Sequence, residues 1–134
     1  MTTLRIPPIS RYMTASPVTI DGARTMSQAH AIMEMKQIRH LPVVSAQKLV
    51  GLITLGDLNL IQAISSIDPT HVRVDSVMTR DLYAVSPDAP IDQVMEEMAG
   101  KKYGSTIVVE HDKVVGVFTV IDICRAFTEL LRQG

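Results

Sequence analysis

The chain contains Val50-Gly51-Leu52-Ile53-Thr54-Leu55-Gly56-Asp57, and a related stretch, Val115-Gly116-Val117-Phe118-Thr119-Val120-Ile121-Asp122, follows 65 positions later. Both stretches consist of Val-Gly, two apolar residues, Thr, two further residues and Asp. The apolar run that ends in Thr predicts a strand buried on both faces. Thr then lies where a helix begins, and Asp lies in the first turn of that helix. The sequence therefore predicts the same strand–turn–helix unit twice.

Two interpretations of the Thr-x-x-Asp pattern are open. A helix start offers free N–H groups and a partial positive charge that suit a phosphate, while the carboxylate can accept hydrogen bonds from sugar hydroxyls. The same pattern is also a helix-capping sequence that needs no ligand. Capping does not explain why Gly51 and Gly116 recur as well. Glycine lets the backbone approach closely, either to a ligand or to a neighbouring strand.

The 65-residue offset holds without a gap from Met13 to Asp57 and defines a tandem repeat. We assign repeat 1 to residues 9–68 and repeat 2 to residues 74–132, with an extended lead-in at 1–8 and a linker at 69–73. Predicted helices cover 26–37, 55–67, 91–101 and 120–132, and predicted strands cover 18–20, 41–44, 49–54, 83–85, 106–110 and 113–118. Each repeat is thus a small β-α-β-β-α piece of α/β (α+β) class. Because one piece is too short to be stable alone, we expect two to pack with pseudo-two-fold symmetry and to form two clefts.

Composition narrows the class of protein. The chain has 134 residues, a formal net charge of −1 and 46% apolar residues, which predict one ordered globular module and disfavour a general nucleic-acid or membrane-surface binder. One cysteine excludes an internal disulfide, and no signal peptide or membrane-spanning run is recognisable. The expected localisation is cytoplasmic.

The two helices that follow Thr54 and Thr119 are predicted to be apolar on more than one side. One side packs on the sheet, and the other would expose a large apolar patch unless a second copy covers it, so we expect a homodimer. Cys124, which lies within such a helix, is predicted to be a core residue.

The ordered set of Met-Thr, a short strand, Leu-Pro-Val-Val and Val-Gly-Leu-Ile-Thr-x-x-Asp, found in tandem, resembles the cystathionine-β-synthase (CBS) domain pair, or Bateman module. The resemblance covers nearly the whole chain. It implies a regulatory module that binds AMP, ADP or ATP, or in some members NAD or S-adenosylmethionine, in clefts between its repeats. It also implies disc-shaped dimers that regulate an effector protein, here unknown. No catalytic cofactor and no metal site is implied.

The resemblance assigns a ligand-binding role to individual positions. Asp57 and Asp122 match ribose-binding aspartates, and Thr54 and Thr119 match hydroxyl residues near the phosphates. Val18 and Tyr83 fall where the first strand lines the adenine pocket, and Arg39 and His40 match basic groups near phosphates. Repeat 2 departs from this pattern with Gly104 and Ser105, so phosphate binding there would depend on Lys101 or Lys102. The remaining expected contacts are Leu52, Gly56, Val117 and Ile121.

Other functions fit the residues less well. The four histidines, His30, His40, His71 and His111, have no metal-ligand spacing, and neither a Gly-rich phosphate loop nor a nucleophile elbow is present, so we predict that the chain is not an enzyme. Arg39 and His40 could instead form a solvated turn. The alternative function is a dimeric interaction scaffold that binds no ligand.

Overall fold

A computed structural model describes residues 5–64 and 66–133 of the chain. Met1–Leu4, in the predicted lead-in, and Ser65, in the predicted helix 55–67, lie outside the described residues. The helices are α1 (Met26–Lys36), α2 (Leu55–Ile64), α3 (Ile91–Lys101) and α4 (Val120–Gln133). The strands are β1 (Thr14–Ala15), β2 (Ile20–Asp21), β3 (His40–Ser45), β4 (Lys48–Thr54), β5 (Ala84–Val85), β6 (Ser105–Glu110) and β7 (Lys113–Thr119), and single 3-10 turns occur at Ile9–Arg11 and Val74–Ser76. The predicted mixed α+β architecture is confirmed.

The chain forms two compact units whose limits differ from those of the sequence repeats. The repeat-1 unit consists of Val18–Leu82, and the repeat-2 unit combines Tyr83–Gly134 with the segment Met1–Pro17. The repeat-1 unit therefore includes the segment that precedes Tyr83, and the repeat-2 unit includes the segment that precedes Val18. The repeat boundaries 9–68 and 74–132 remain a prediction about sequence similarity rather than about packing.

The repeat-1 unit has a three-stranded sheet in the order β2-β3-β4. Strand β2 runs parallel to β3, and β3 runs antiparallel to β4 with His40 opposite Thr54. The core on this sheet is apolar and fully buried at Leu41, Ile53 and Leu58. Val74 joins the same core from beyond the predicted linker. This packing places the end of β4 and the start of α2 beside the start of β3.

The repeat-2 unit has a four-stranded sheet in the order β1-β7-β6-β5. Strand β1 is an added edge strand in which Thr14 lies opposite Val117. The core contains Phe118 and Val108, together with Ile9 from the N-terminal segment, which is completely buried. The amide of Ile9 also donates a hydrogen bond to the Ala89 carbonyl at 2.8 Å. The N-terminal segment is thus a structural part of the repeat-2 unit.

The helices begin where the sequence predicts, but α2 ends at Ile64 and not at Ile67, so the predicted end of that helix is wrong. Thr25 and Gln28 form the predicted capping box at the start of α1, with both reciprocal hydrogen bonds present. The predicted two-sided character of α2 is confirmed, because Leu58 is buried while Leu60 is exposed. No helix in the described part of the chain is long and apolar enough to cross a membrane.

Helix α4 also has apolar residues both on the side that meets the core and on the exposed side. One prediction about this helix is wrong. Its exposed large apolar residues are Val120, Ile121, Phe127, Leu130 and Leu131, whereas Ile123 packs against the core. Cys124 was predicted to be a core residue but is exposed. It lines a groove on the outer face of the helix with Ile121 and Arg125. An apolar stretch on two sides of a helix does not by itself show which side meets the sheet.

Candidate functional site

In the repeat-1 unit the structure brings together three of the predicted ligand-binding residues. His40 starts β3 opposite Thr54, the last residue of β4, and Asp57 follows in the first turn of α2. The Thr54 hydroxyl oxygen accepts a hydrogen bond from the Asp57 amide at 3.1 Å. This bond satisfies one free N–H group of the helix start, and Asp57 itself is half-buried. An imidazole, a hydroxyl and a carboxylate therefore meet where two strands and a helix join.

Arg39 and His40 differ in environment although they are adjacent. Arg39 is exposed and lines a groove of about 260 Å³ between the end of α1 and the start of α2, with His30, Glu34 and Leu55. Burial lowers the pKa of His40, the positive charge of Arg39 lowers it further, and the negative charge of Asp57 opposes both effects. His40 therefore interacts electrostatically with both Arg39 and Asp57, the two residues predicted to bind the charged and polar parts of a nucleotide.

The other predicted residues of this unit lie on its strands and helix start. Val18 is half-buried and packs against the core. Leu52 is half-buried in β4, and its amide donates to the Thr79 carbonyl at 2.9 Å. Gly56 is exposed in α2, and within the part of the chain that the structure describes only the Thr54 hydroxyl oxygen would lie within 4 Å of an added Cβ, at 3.9 Å. Of these three residues, Gly56 has a contact with the His40–Thr54–Asp57 group, through the Thr54 hydroxyl oxygen.

The equivalent carboxylate in the repeat-2 unit is bound far more tightly by the protein itself. Asp122 is only 3% exposed. Its Oδ2 accepts hydrogen bonds from the Thr119 amide at 2.9 Å and from the Thr119 hydroxyl at 3.3 Å. Its Oδ1 accepts a hydrogen bond from the Thr14 hydroxyl at 3.0 Å and lies 3.5 Å from the Arg125 guanidinium. Both carboxylate oxygens are therefore engaged.

The remaining predicted residues of the repeat-2 unit are spread over several environments. Tyr83 is half-buried and stacks on Tyr103 with ring centroids 5.6 Å apart, and burial raises its pKa. Ser105 and Val117 are buried. The exposed predicted residues are Lys102, which has a left-handed backbone at the end of α3, Gly104, and Ile121 on the outer face of α4. The structure thus places Thr119 with Asp122, and it does not gather the exposed residues around them.

Both Thr-x-x-Asp copies act as helix caps, each through one half of a capping box. In the repeat-1 unit the Thr54 side chain accepts from the Asp57 amide, and in the repeat-2 unit the Asp122 side chain accepts from the Thr119 amide. The recurring glycines have a separate cause. A Cβ on Gly51 would overlap the Met78 side chain, and one on Gly116 would overlap the Met13 side chain. Of the two possible approaches to these glycines, the structure shows the one between neighbouring segments of protein.

Three polar or aromatic residues of this region were not predicted as functional. Thr14 and Arg125 both contact Asp122, and Tyr103 stacks on Tyr83. The spacing of Asp122 and Arg125, three residues apart on one helix, could have identified that pair. The repeated Met-Thr dipeptide carried the signal for Thr14, but its position against Asp122 depends on a sequence separation of 108 residues.

The sequence and the fold are both similar to those of known proteins. The sequence profile of the CBS domain matches residues 9–62 and 74–129. The structure superposes on a Vibrio cholerae protein termed AcuB, provisionally assigned to acetoin utilization, with a TM-score of 0.85 and 31% identity over 96% of this chain and 95% of that one. It also superposes on the CBS domain pair of protein MJ0100, solved with 5'-methylthioadenosine and S-adenosyl-L-methionine, with a TM-score of 0.83 and 28% identity over 93% of this chain and 98% of that one.

A curated relative extends the comparison to a longer protein. A homoserine O-acetyltransferase of Methanohalobium evestigatum is 32% identical over 90% of this chain, and the chain spans only 24% of its length. The similarity therefore concerns one part of that enzyme. Since the CBS profile matches most of the chain in two ordered copies, and the fold is that of solved CBS pairs, the chain belongs to the CBS domain family and carries two CBS repeats.

Proposed function

We propose that the chain is a regulatory module that binds an adenosine-containing ligand and transmits the binding event to an effector protein. AMP, ADP and ATP are the first candidates, and NAD and S-adenosylmethionine are further ones. The observation that carries the proposal is the group formed by His40, Thr54 and Asp57, with Arg39 next to it. The complex of the MJ0100 CBS pair with two adenosine compounds supports the choice of ligand class.

The chemistry of the repeat-1 group matches the parts of a nucleotide. A half-buried carboxylate can accept hydrogen bonds from two sugar hydroxyls, and such charge-assisted bonds are worth roughly 1.5–3 kcal/mol each. The Arg39 guanidinium offers a planar set of donors that suits a phosphate. His40 adds a donor that becomes charged as the pH falls. Each of these roles concerns binding, and none requires a covalent step.

Calorimetry and thermal unfolding with adenosine, AMP, ATP, NAD and S-adenosylmethionine test the proposal. A ligand that binds only the folded state adds about 2.7 kcal/mol at a concentration of ~100 times its dissociation constant. Asp57→Asn should weaken binding about ten- to a hundredfold. Asp92→Asn is the matched control, because Asp92 is also an acidic residue in the first turn of a helix and is exposed.

The contribution of Arg39 can be separated from that of Asp57. Arg39→Ala should weaken AMP and ATP binding but leave adenosine binding nearly unchanged, because adenosine has no phosphate. Arg24→Ala, another exposed arginine of the same unit, should have little effect on any of these ligands. Equal affinity of wild type and Arg39→Ala for AMP would assign Arg39 to a solvated turn.

A dimeric interaction scaffold without ligand is the second candidate function. Two observations favour it: both Thr-x-x-Asp copies cap helices, and both oxygens of Asp122 are engaged by the protein. The exposed apolar residues of α4 are also available to a protein partner. Absence of any thermal shift with millimolar adenosine compounds, together with an intact dimer, would favour the scaffold.

A further inference from the structure

The Asp122 carboxylate uses its two oxygens for different purposes. Oδ2 accepts from the amide and the hydroxyl of Thr119, and these bonds fix the start of α4. Oδ1 accepts from the Thr14 hydroxyl at 3.0 Å and lies beside the Arg125 guanidinium. Thr14 belongs to the added edge strand β1, whereas Thr119 belongs to the strand–helix junction itself. Oδ2 thus holds the start of α4, whereas Oδ1 is shared between Thr14 of the edge strand and Arg125, which lies one turn further along α4.

The donors at Oδ1 resemble those that a sugar diol would present. A vicinal diol offers two O–H donors to one carboxylate, and Oδ1 already accepts a hydrogen bond from one hydroxyl and forms an ion pair with Arg125. Asp122 is also 3% exposed, so a ligand can reach it only after part of the surrounding protein has moved. The Arg125 side chain is 73% exposed and can move into solvent at little cost. Thr14 is tied to β7 through its backbone, so its hydroxyl is the more persistent of the two donors.

The repeat-1 unit is built differently at the corresponding positions. The counterpart of Arg125 is Leu60, which offers no donor. The counterpart of Thr14 is Thr79, whose backbone pairs with Leu52 as that of Thr14 pairs with Val117. Within the described residues no side chain donates a hydrogen bond to the Asp57 carboxylate, which is half-buried. The two carboxylates therefore differ in how much protein must be displaced before a diol can bind.

We infer that the Thr14 hydroxyl competes with a sugar diol for Asp122 and so sets a lower affinity for the repeat-2 unit than for the repeat-1 unit. This inference rests on the proposed function, since it concerns the same class of ligand. Binding at Asp122 breaks the contact between β1 and the start of α4. The docking of the N-terminal segment on the repeat-2 unit is then coupled to ligand occupancy, which gives this unit a means of reporting binding.

Calorimetry with adenosine in an Asp57→Asn background isolates binding at Asp122. Thr14→Val removes the competing donor while keeping the size of the side chain, and a net hydrogen bond of ordinary strength corresponds to about three- to tenfold tighter binding. Thr14→Ser keeps the hydroxyl and should bind adenosine as the background protein does. Thr79→Val, the same change at the corresponding position of the other unit, should leave the affinity unchanged.

The possible outcomes are distinct. Tighter binding in Thr14→Val, and not in Thr14→Ser or Thr79→Val, supports competition. Unchanged or weaker binding in Thr14→Val, with measurable adenosine binding in the background protein, overturns competition and leaves the proposed function intact. If wild type and every variant fail to bind adenosine, AMP or S-adenosylmethionine, both the proposed function and the competition are wrong.

Discussion

The side chain of Met78 lies against the α-carbon of Gly51, where any other residue would carry its Cβ atom. Met13 has the same relationship to Gly116 in the other unit. In both cases the methionine belongs to the segment that leads into one repeat, and the glycine belongs to the strand of the other repeat. The repeated glycines therefore leave space for methionine side chains. This contact attaches the segment that contains each methionine to the neighbouring sheet.

Replacement of these glycines by alanine should destabilise the protein. An extra methyl group in a filled space typically lowers the free energy of unfolding by about 1–3 kcal/mol. Gly51→Ala should cost more than Gly116→Ala, because its added Cβ would also lie 3.1 Å from the rigid Thr79 carbonyl oxygen, whereas the three atoms nearest to a Cβ on Gly116 all belong to the flexible Met13 side chain. Urea unfolding of the three proteins measures the difference.

Gly100→Ala is the control for these substitutions. Gly100 lies in α3, and no atom of the described residues lies within 4 Å of an added Cβ, so alanine should raise the free energy of unfolding by about 0.5–1 kcal/mol through better helix propensity. If alanine changes the free energy of unfolding equally at residues 51, 100 and 116, the contacts between the methionines and the glycines do not matter for stability.

Thr106→Val should stabilise the repeat-2 unit. The Thr106 hydroxyl is fully buried and has no hydrogen-bond partner among the described residues, and its position corresponds to the core residue Leu41 of the other repeat. Valine has nearly the same shape without the polar group, so the substitution should raise the free energy of unfolding by about 1 kcal/mol. Thr79→Val at an exposed position should change it by less than about 0.5 kcal/mol. A loss of stability in Thr106→Val would mean that the hydroxyl has a partner in solution.

The sequence was sufficient to predict the elements that depend on local pattern. Helix α3 begins at Ile91 and ends at Lys101 as predicted, and the Thr25–Gln28 capping box forms as its spacing indicated. These features depend on residues three or four positions apart, so periodicity and caps determine them. The 65-residue offset likewise predicted that the second set of elements repeats the first, and the family comparison confirms two CBS repeats.

Features that depend on distant contacts could not be predicted in the same way. A repeat search finds the limits of sequence similarity and not those of contact, so it cannot show that residues 5–17 pack with residues 83–133. The outward position of Cys124 depends on which side of α4 meets the sheet. The closure of Asp122 by Thr14 requires the added edge strand β1. Each case needs tertiary structure, because the partners are far apart in sequence.

His40 should make stability depend on pH. Its pKa in the folded protein is lowered from 6.5, first by burial and then by Arg39. As the pH falls below 6.5, the unfolded chain takes up a proton at this residue before the folded protein does, so the free energy of unfolding decreases. Chemical unfolding at about pH 7.5 and about pH 5.5 should show a smaller decrease for His40→Gln than for wild type.

Two further variants test the sign of this effect. Arg39→Gln removes a charge that lowers the His40 pKa, so the acid-side loss of stability should shrink. Asp57→Asn removes a charge that raises the His40 pKa, so the loss of stability at acid pH should become larger. If both variants change the loss in the same direction, the electrostatic contacts of His40 are not the cause.

The apolar outer face of α4 should hold two copies of the chain together. Phe127 is 58% exposed and Leu131 is 65% exposed, and Ile64 on α2 is 74% exposed, so each helix presents large apolar side chains to solvent in a single copy. Such surfaces usually mark interfaces, and a two-fold pair would bury them. We therefore expect a homodimer at micromolar concentration by light scattering.

Phe127→Asp should produce monomers because it would place a charge in the apolar contact, while the folded structure should persist because the residue is exposed. Gln93→Asp, the same new charge on the exposed face of α3, should remain dimeric. A monomeric wild-type protein, or a dimer that Phe127→Asp leaves intact, would contradict an interface on α4.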